Sequence, residues 1–165
     1  MNVKLRPWEL SDLDDLVRYA NNSKIAANMT NRFPHPYTEK DGQEFIRRFQ
    51  SNNPVQIFVI EYEGELVGAI GVHPQKDIMA KNAELGYWVA EPFWGKGIAT
   101  ESIRQIVIYA FKTFDINRIF ARPFGSNKAS QKVLEKSGFQ LEARFDKTIF
   151  KNGVYQDELI YALRK

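Results

Sequence analysis

The chain has no cysteine among its 165 residues and only two histidines, His35 and His73. Disulfides, zinc–thiolate centres and cysteine nucleophiles are therefore excluded, and no metal site is expected. Long apolar runs are also absent. The opening Met-Asn-Val-Lys-Leu-Arg-Pro-Trp lacks the hydrophobic core of a secretory signal, and no segment is long enough to cross a bilayer. A cytoplasmic protein with no membrane partner is expected. Charge of one sign is scarce, with 23 Lys and Arg against 20 Asp and Glu, a net +3. The basic residues are dispersed and form no stripe, which argues against direct nucleic-acid binding but is compatible with an anionic cofactor. With 44% hydrophobic and 26% charged residues, the chain suits one globular domain over 1–165.

The informative part lies between Tyr87 and Glu101. An apolar stretch over 85–90 runs into a turn holding Pro92, Gly95 and Gly97. A helical pattern follows at once, with Ile98, Ala99, Ile103, Ile106, Val107, Ala110 and Phe111 on one face. A strand, a glycine turn and a helix in that order make an anion site. The first helical turn has N–H groups without partners, and the macrodipole adds partial positive charge there. Glycines let a phosphate approach the backbone, and Lys96 adds a mobile cation. A pyrophosphate suits this turn, although a tight connection needing positive φ explains the same glycines. The spacing fits neither a P-loop, since no Gly-Lys-Ser/Thr closes it, nor a dinucleotide fingerprint, whose third glycine is missing.

Around this turn the pattern predicts a first strand over 3–6 and a helix opened by a capping box at Ser11 and Asp14, with Leu13, Leu16, Val17 and Ala20 as its stripe. A second box at Thr38 and Asp41 opens a helix carrying Phe45, Ile46 and Phe49. The aromatic loop 31–37, stiffened by two prolines, is either a cleft wall or a connector. Strands over 55–62, 65–73 and 82–90 form a meander with turns at Glu63-Gly64 and near Asp77. After the glycine helix come a strand over 117–124, a helix over 127–137 ended by Gly138, and a hairpin over 139–163 turning at Asn152-Gly153. The result is an α/β (α+β) fold: a mixed, mostly antiparallel sheet of six to seven strands, helices on both faces, and a parallel splayed pair beside the glycine turn.

This order resembles the GNAT superfamily of acyl-CoA-dependent N-acetyltransferases over nearly the whole chain. Trp94-Gly95-Lys96-Gly97-Ile98-Ala99 is similar to its phosphate motif Gln/Arg-x-x-Gly-x-Gly/Ala, departing at Trp94. Asn127-Lys-Ala-Ser130 and the following Val-Leu-Glu-Lys-Ser-Gly-Phe139 resemble a second block of the family. Pro34-His-Pro-Tyr-Thr38 and Glu84-Leu-Gly-Tyr-Trp88 point to the branch of ribosomal-protein N-terminal (alanine/serine) acetyltransferases and related small-amine enzymes. The resemblance implies acetyl-CoA as acyl donor. Backbone at Tyr87, Trp88 and Val89 would pair with the pantetheine arm, and N–H groups from Trp94 through Ala99 would hold the pyrophosphate. Asn127 would reach the pantetheine, with Ser130 near the thioester sulfur; each also reads as a helix cap.

Acetyl transfer needs a neutral amine, whereas an alkyl amine with a pKa of about 10.4 is protonated at neutral pH. Glu84, within the third meander strand, and Glu91, at its end, are the candidate bases, with ordered water as the remaining choice. Glu84 also reads as an ion-pair partner on the sheet and Glu91 as an exposed turn carboxylate. Ser130 is the candidate donor to the departing sulfur, and Tyr37 and Tyr155 are further phenols that could reach the site. The expected acceptor is a small-molecule amine or a protein N-terminus. A non-catalytic acyl-CoA sensor or interaction module uses the same turn and is the alternative. The long C-terminal hairpin is a candidate homodimer surface.

Overall fold

In the computed structural model, which describes residues 1–165, seven strands are hydrogen-bonded in the order β1-β2-β3-β4-β5-β7-β6. They are β1 (Val3–Arg6), β2 (Ile57–Tyr62), β3 (Glu65–Pro74), β4 (Asn82–Val89), β5 (Arg118–Ala121), β6 (Gln140–Lys151) and β7 (Val154–Arg164). The helices are α1 (Leu13–Ala20), α2 (Ser23–Ala26), α3 (Glu39–Phe49), α4 (Ile98–Thr113) and α5 (Lys128–Lys136). The sheet is mostly antiparallel, and β4 and β5 form the expected parallel pair. That ladder covers only Asn82 to Glu84 on β4, although β4 continues to Val89. The chain divides into two compact units, one of Met1–Gly71 with Tyr87–Ile106, the other of Val72–Gly86 with Val107–Lys165.

The first unit is organised around Trp8, Leu16, Tyr19, Ile25, Tyr37, Ile46, Val59 and Trp88, all buried in one cluster. Alternation along β2 sends Ile57 and Val59 into this cluster. Each large side chain removed from water contributes about 1.5–3 kcal/mol. α3 begins where Thr38 predicts: Asp41 N–H donates to Thr38 Oγ1 at 3.2 Å and Thr38 N–H to Asp41 Oδ2 at 2.8 Å.

The box at Ser11 does not form. Asp12 instead accepts from Glu9 N–H at 2.8 Å and from Arg6 at 2.8 and 2.9 Å. A 3-10 turn over Leu10–Asp12 therefore precedes α1, with Ser11 inside it. The guanidinium of Arg6, distant from the helix start in pattern terms, decides which carboxylate caps it. α2 is an additional single turn, capped by Asn22, whose side-chain oxygen accepts from Lys24 N–H at 2.8 Å.

In the second unit, β6 and β7 pair along a hairpin that reverses at Asn152 (φ 52°) and Gly153 (φ 76°). Two register shifts place extra residues on β6, and Lys147 there has φ 50°. Asp157 pins the second irregularity by accepting from Lys147 N–H at 3.0 Å and from Arg144 at 2.6 and 2.9 Å. β5 is shorter than its apolar pattern, ending at Ala121, with Phe124 joined to Glu158 by an isolated bridge. Glu142 accepts from Arg118 at 2.6 Å and Arg164 at 2.9 Å, tying β5, β6 and β7 together.

Removing the Thr38 hydroxyl with Thr38→Ala is expected to lower stability by about 1 kcal/mol, read as a shift in urea midpoint at unchanged slope.

Candidate active site

β3 and β4 come unusually close at one point. A Cβ on Gly68 would lie 2.2 Å from the Trp88 carbonyl oxygen, so any side chain there pushes β4 away. One residue pair further on, Ala90 N–H donates to Val67 O at 2.7 Å. Since backbone direction alternates along a strand, the N–H and C=O groups of Tyr87 and Val89 point to the edge away from β3. The Trp88 side chain is buried in the cluster, edge-on to Phe33 at 6.0 Å. Phe33 in turn packs on Tyr37 at 5.3 Å, so loop 31–37 is a wall against the end of β4 rather than a bare connector.

The turn then follows as Glu91–Phe93, a 3-10 segment, with Trp94 extended and Gly95 and Gly97 at φ 75° and 77°. A Cβ on Gly95 would meet nothing within 4 Å. Crowding therefore does not explain the glycine; the left-handed backbone does. Trp94 folds back so that its indole Nε1 donates to Val89 O at 2.6 Å. Lys96 Nζ lies over the Phe93 ring, 5.1 Å from its centre. The first turn of α4 opens here, and buried Ser102 donates to Ile98 O at 2.8 Å.

An acid also stands in this first turn. Glu101 is held by Arg104 at 2.7 and 2.9 Å and by Gln105 at 2.9 Å, chiefly the former, which brings its pKa down to about 2. Its charge is thereby committed to neighbours on α4.

Glu91 lies in the same unit, at the border of a cavity of about 350 Å³ lined also by Arg18, Tyr19, Asn22 and Pro92. Its carboxylate is bound by Lys24 and by Asn22 Nδ2, the latter at 2.8 Å. Lys24 first and Asn22 second hold its pKa below the ordinary carboxylate value. Tyr37 is buried, and that burial pushes its phenol up to about 12.

The second unit holds the other candidates. Glu84 pairs along the ladder with Phe120, and Arg122 Nε donates to its carboxylate at 3.1 Å. Arg122 also lies 3.7 Å from Glu158, so one cation serves two carboxylates. Gln75 N–H donates to Asn82 O at 2.9 Å, and two residues along each strand His73 comes opposite Glu84. Burial lowers the His73 pKa and the Glu84 charge opposes that shift. Asn127 caps α5, its side-chain oxygen accepting from Ser130 N–H at 3.2 Å. Ser130 occupies the first turn of that helix. Tyr155 is exposed and packs on Phe150 at 4.9 Å, both on the hairpin.

Sequence reasoning missed four arrangements: His73 opposite Glu84 in the second unit, and in the first Gly68 against Trp88 O, Trp94 as a donor, and the Lys24–Asn22 pair on Glu91. The parity of the meander could have placed His73 beside Glu84, because the turn near Asp77 fixes the register. Nothing in the sequence reveals that Trp88 O presses on Gly68.

The model of the acetyltransferase (GNAT) domain matches residues 2–140. The "Putative ribosomal N-acetyltransferase YdaF" of Bacillus subtilis (strain 168) is 33% identical over 129 residues, covering 78% of this chain and 69% of that protein. The spermidine N-acetyltransferase of Vibrio cholerae, in complex with CoA and spermine, superposes with a TM-score of 0.82 at 25% identity, covering 98% of this chain and 95% of that one. The Microcin C7 self immunity acetyltransferase MccE, in complex with acetyl-CoA and AMP, gives a TM-score of 0.81 at 27% identity, with 99% and 92% covered.

Two outcomes follow from the geometry. Gly68→Ala is expected to lower the melting temperature by several degrees, roughly the effect of 1–3 kcal/mol of overpacking, measured by calorimetry. Glu101 has a depressed folded-state pKa, so its stabilising contribution is complete above about pH 4.5 and fades as pH falls toward about 2. Glu101→Gln should flatten that part of the acid-unfolding curve and leave the neutral side of its slope unaltered.

Proposed function

Because the chain belongs to the GNAT acetyltransferase family, an acyltransferase family with acetyl-CoA as donor, we propose that it moves the acetyl group directly to a primary amine in a ternary complex. Residues 1–165 act in this reading as one catalytic domain. The observation that carries it is the open turn at Gly95 and Gly97, two left-handed residues immediately ahead of α4. The N–H groups from Gly95 through Ala99 take the pyrophosphate, where the helix dipole and unpaired donors favour an anion; the Trp94 N–H, expected in this set, instead donates to Glu91 O at 3.1 Å. The outward edge at Tyr87 and the N–H of Val89 supply backbone partners for the pantetheine arm, the Val89 carbonyl being taken by the Trp94 indole.

In the reaction the amine nitrogen attacks the thioester carbonyl carbon. The C–N bond forms, the C–S bond breaks, and CoA leaves as a thiolate, a tolerable leaving group with a thiol pKa near ~8.5. The amine's proton must go to a base. Glu91 is a poor acceptor, because both its oxygens are taken, Oε1 by Lys24 and Oε2 by Asn22 at 2.8 Å, whereas only Oε1 of Glu84 is closely held, by Arg122 Nε at 3.1 Å, with Oε2 3.5 Å from Nη2. We assign Glu91 to holding the start of α2 against the turn. Glu84 is assigned the proton, through a water, with Arg122 fixing its carboxylate. The resemblance gives Asn127 a contact to the pantetheine and Ser130 one to the departing sulfur; the Oδ1 of Asn127 is engaged in capping, so its Nδ2 is the donor that would serve.

The acceptor is a small-molecule amine or a protein N-terminus. No helix is long and apolar enough to cross a membrane, and a cytoplasmic location belongs to the proposal. A sensor that binds acyl-CoA without turnover would share the turn but release no CoA thiol.

The test is calorimetric titration with acetyl-CoA of the wild type and of Gly97→Asp, followed by thiol release in the presence of amines. The wild type should bind and the folded variant should not, and CoA should appear only with an acceptor. Glu84→Gln should then cut turnover by about a hundredfold or more at unchanged acetyl-CoA affinity, whereas Glu91→Gln keeps most of it. Binding by the wild type without CoA release from a broad set of amines and N-terminal peptides would favour the sensor; no binding would remove both readings.

A further inference from the structure

Position 94 opens the phosphate turn, and the side chain there makes a contact that the motif does not explain. The Trp94 indole donates to Val89 O at 2.6 Å, reaching back over five residues to the last residue of β4. That carbonyl lies on the edge away from β3, because the neighbouring Ala90 N–H is the one that faces Val67. Ahead of Trp94, Phe93 is anchored by edge-on contacts with Tyr19 at 5.8 Å and Tyr62 at 6.3 Å. Behind it, Gly95 and Gly97 have no side chains, and a Cβ on Gly95 would meet nothing within 4 Å. Such a segment is free to sample many conformations unless something fixes its entry. Backbone bonds from Phe93 N–H to Ala90 O at 2.9 Å and from Trp94 N–H to Glu91 O at 3.1 Å hold the 3-10 turn ahead of it, and the indole bond is the side-chain fixture that ties this entrance to β4.

We propose that Trp94 is a positioning residue for the phosphate half of acetyl-CoA. Its N–H holds the entrance of the glycine turn onto the end of β4, so the N–H groups that follow already point at the pyrophosphate before it arrives. By occupying the Val89 carbonyl, it also sets where the pantetheine arm must leave the strand and turn toward its phosphates. The inference rests on the acyltransferase reading and adds a role for a side chain at which the sequence departs from the family motif. Preorganisation of this kind strengthens binding by removing an ordering cost and adds no contact to the ligand.

The experiment compares three ligands, acetyl-CoA, ADP and S-acetylpantetheine, on the wild type, Trp94→Phe and Trp94→Gln. Phenylalanine keeps an aromatic ring and loses the donor; glutamine restores a donor of suitable reach. Trp94→Phe should weaken acetyl-CoA and ADP together by about five- to tenfold, the effect of one hydrogen bond, and leave S-acetylpantetheine unchanged. Trp94→Gln should stay near the wild type. Undiminished acetyl-CoA affinity in folded Trp94→Phe overturns the proposal, as does equal weakening of all three ligands, which would mean the residue supports β4 and not the turn. A readout on the unsubstituted protein guards against misfolding of the variants: the Trp94 indole N–H should exchange slowly with solvent in the ADP complex, and exchange at the rate of a free indole would overturn the proposal. Failure of the wild type to bind acetyl-CoA would instead overturn the acyltransferase reading, and this inference with it.

Discussion

The approach of β3 to β4 at Gly68 is the constraint on which the first unit's chemistry depends. With the Trp88 oxygen 2.2 Å from where a Cβ would stand, only hydrogen at position 68 lets the two backbones meet. The meeting fixes which way each peptide group of β4 faces. Ala90 N–H is bound to Val67, so Val89 carbonyl faces the other edge, within reach of an indole at position 94. The bury-or-expose pattern follows as well: Trp88 enters the aromatic cluster with Phe33 and Tyr37. One missing methyl group thus sets the direction of a strand edge, the anchoring of a turn and the seating of a loop.

The acidic residues show a different economy. Each carboxylate considered for proton transfer has a cation beside it: Glu91 has Lys24 and Glu84 has Arg122. Glu101, at the mouth of α4, is likewise engaged by Arg104. Without its partner, the Glu101 charge would oppose any anion at the N-terminus of α4. Exposed ion pairs add little to stability, so their value lies in where they leave the field. The distinction between Glu84 and Glu91 rests on this local chemistry, since both were equally visible in the sequence.

Much of the fold was legible because it is written in short-range patterns. Thr38 with Asp41, Glu63-Gly64 and Asn152-Gly153 mark element ends through local hydrogen bonds or backbone conformation, and each appears where expected. The parallel pairing of β4 with β5 followed from the helix between them. What was illegible depends on where side chains reach. Arg6 is only six residues from Asp12, but its guanidinium holds the Asp12 carboxylate, which caps at Glu9 N–H in place of the box at Ser11; residue types alone do not show that reach. His73 looked like an isolated strand-end residue until register set it opposite Glu84. Trp94 looked like a defect in a motif, because a motif records residue types and not the direction in which a side chain folds back.

The three tryptophans differ in a way with practical weight. Trp8 and Trp88 are buried at 3% and 8% exposure, whereas Trp94 is 47% exposed and sits in the turn itself. Buried indoles emit toward the blue and are shielded from aqueous quenchers, so the red side of the protein's emission and its sensitivity to iodide belong mainly to Trp94. The molecule thereby carries an optical probe one residue from the left-handed Gly95, needing no label and, in a chain without cysteine, no thiol chemistry to attach one.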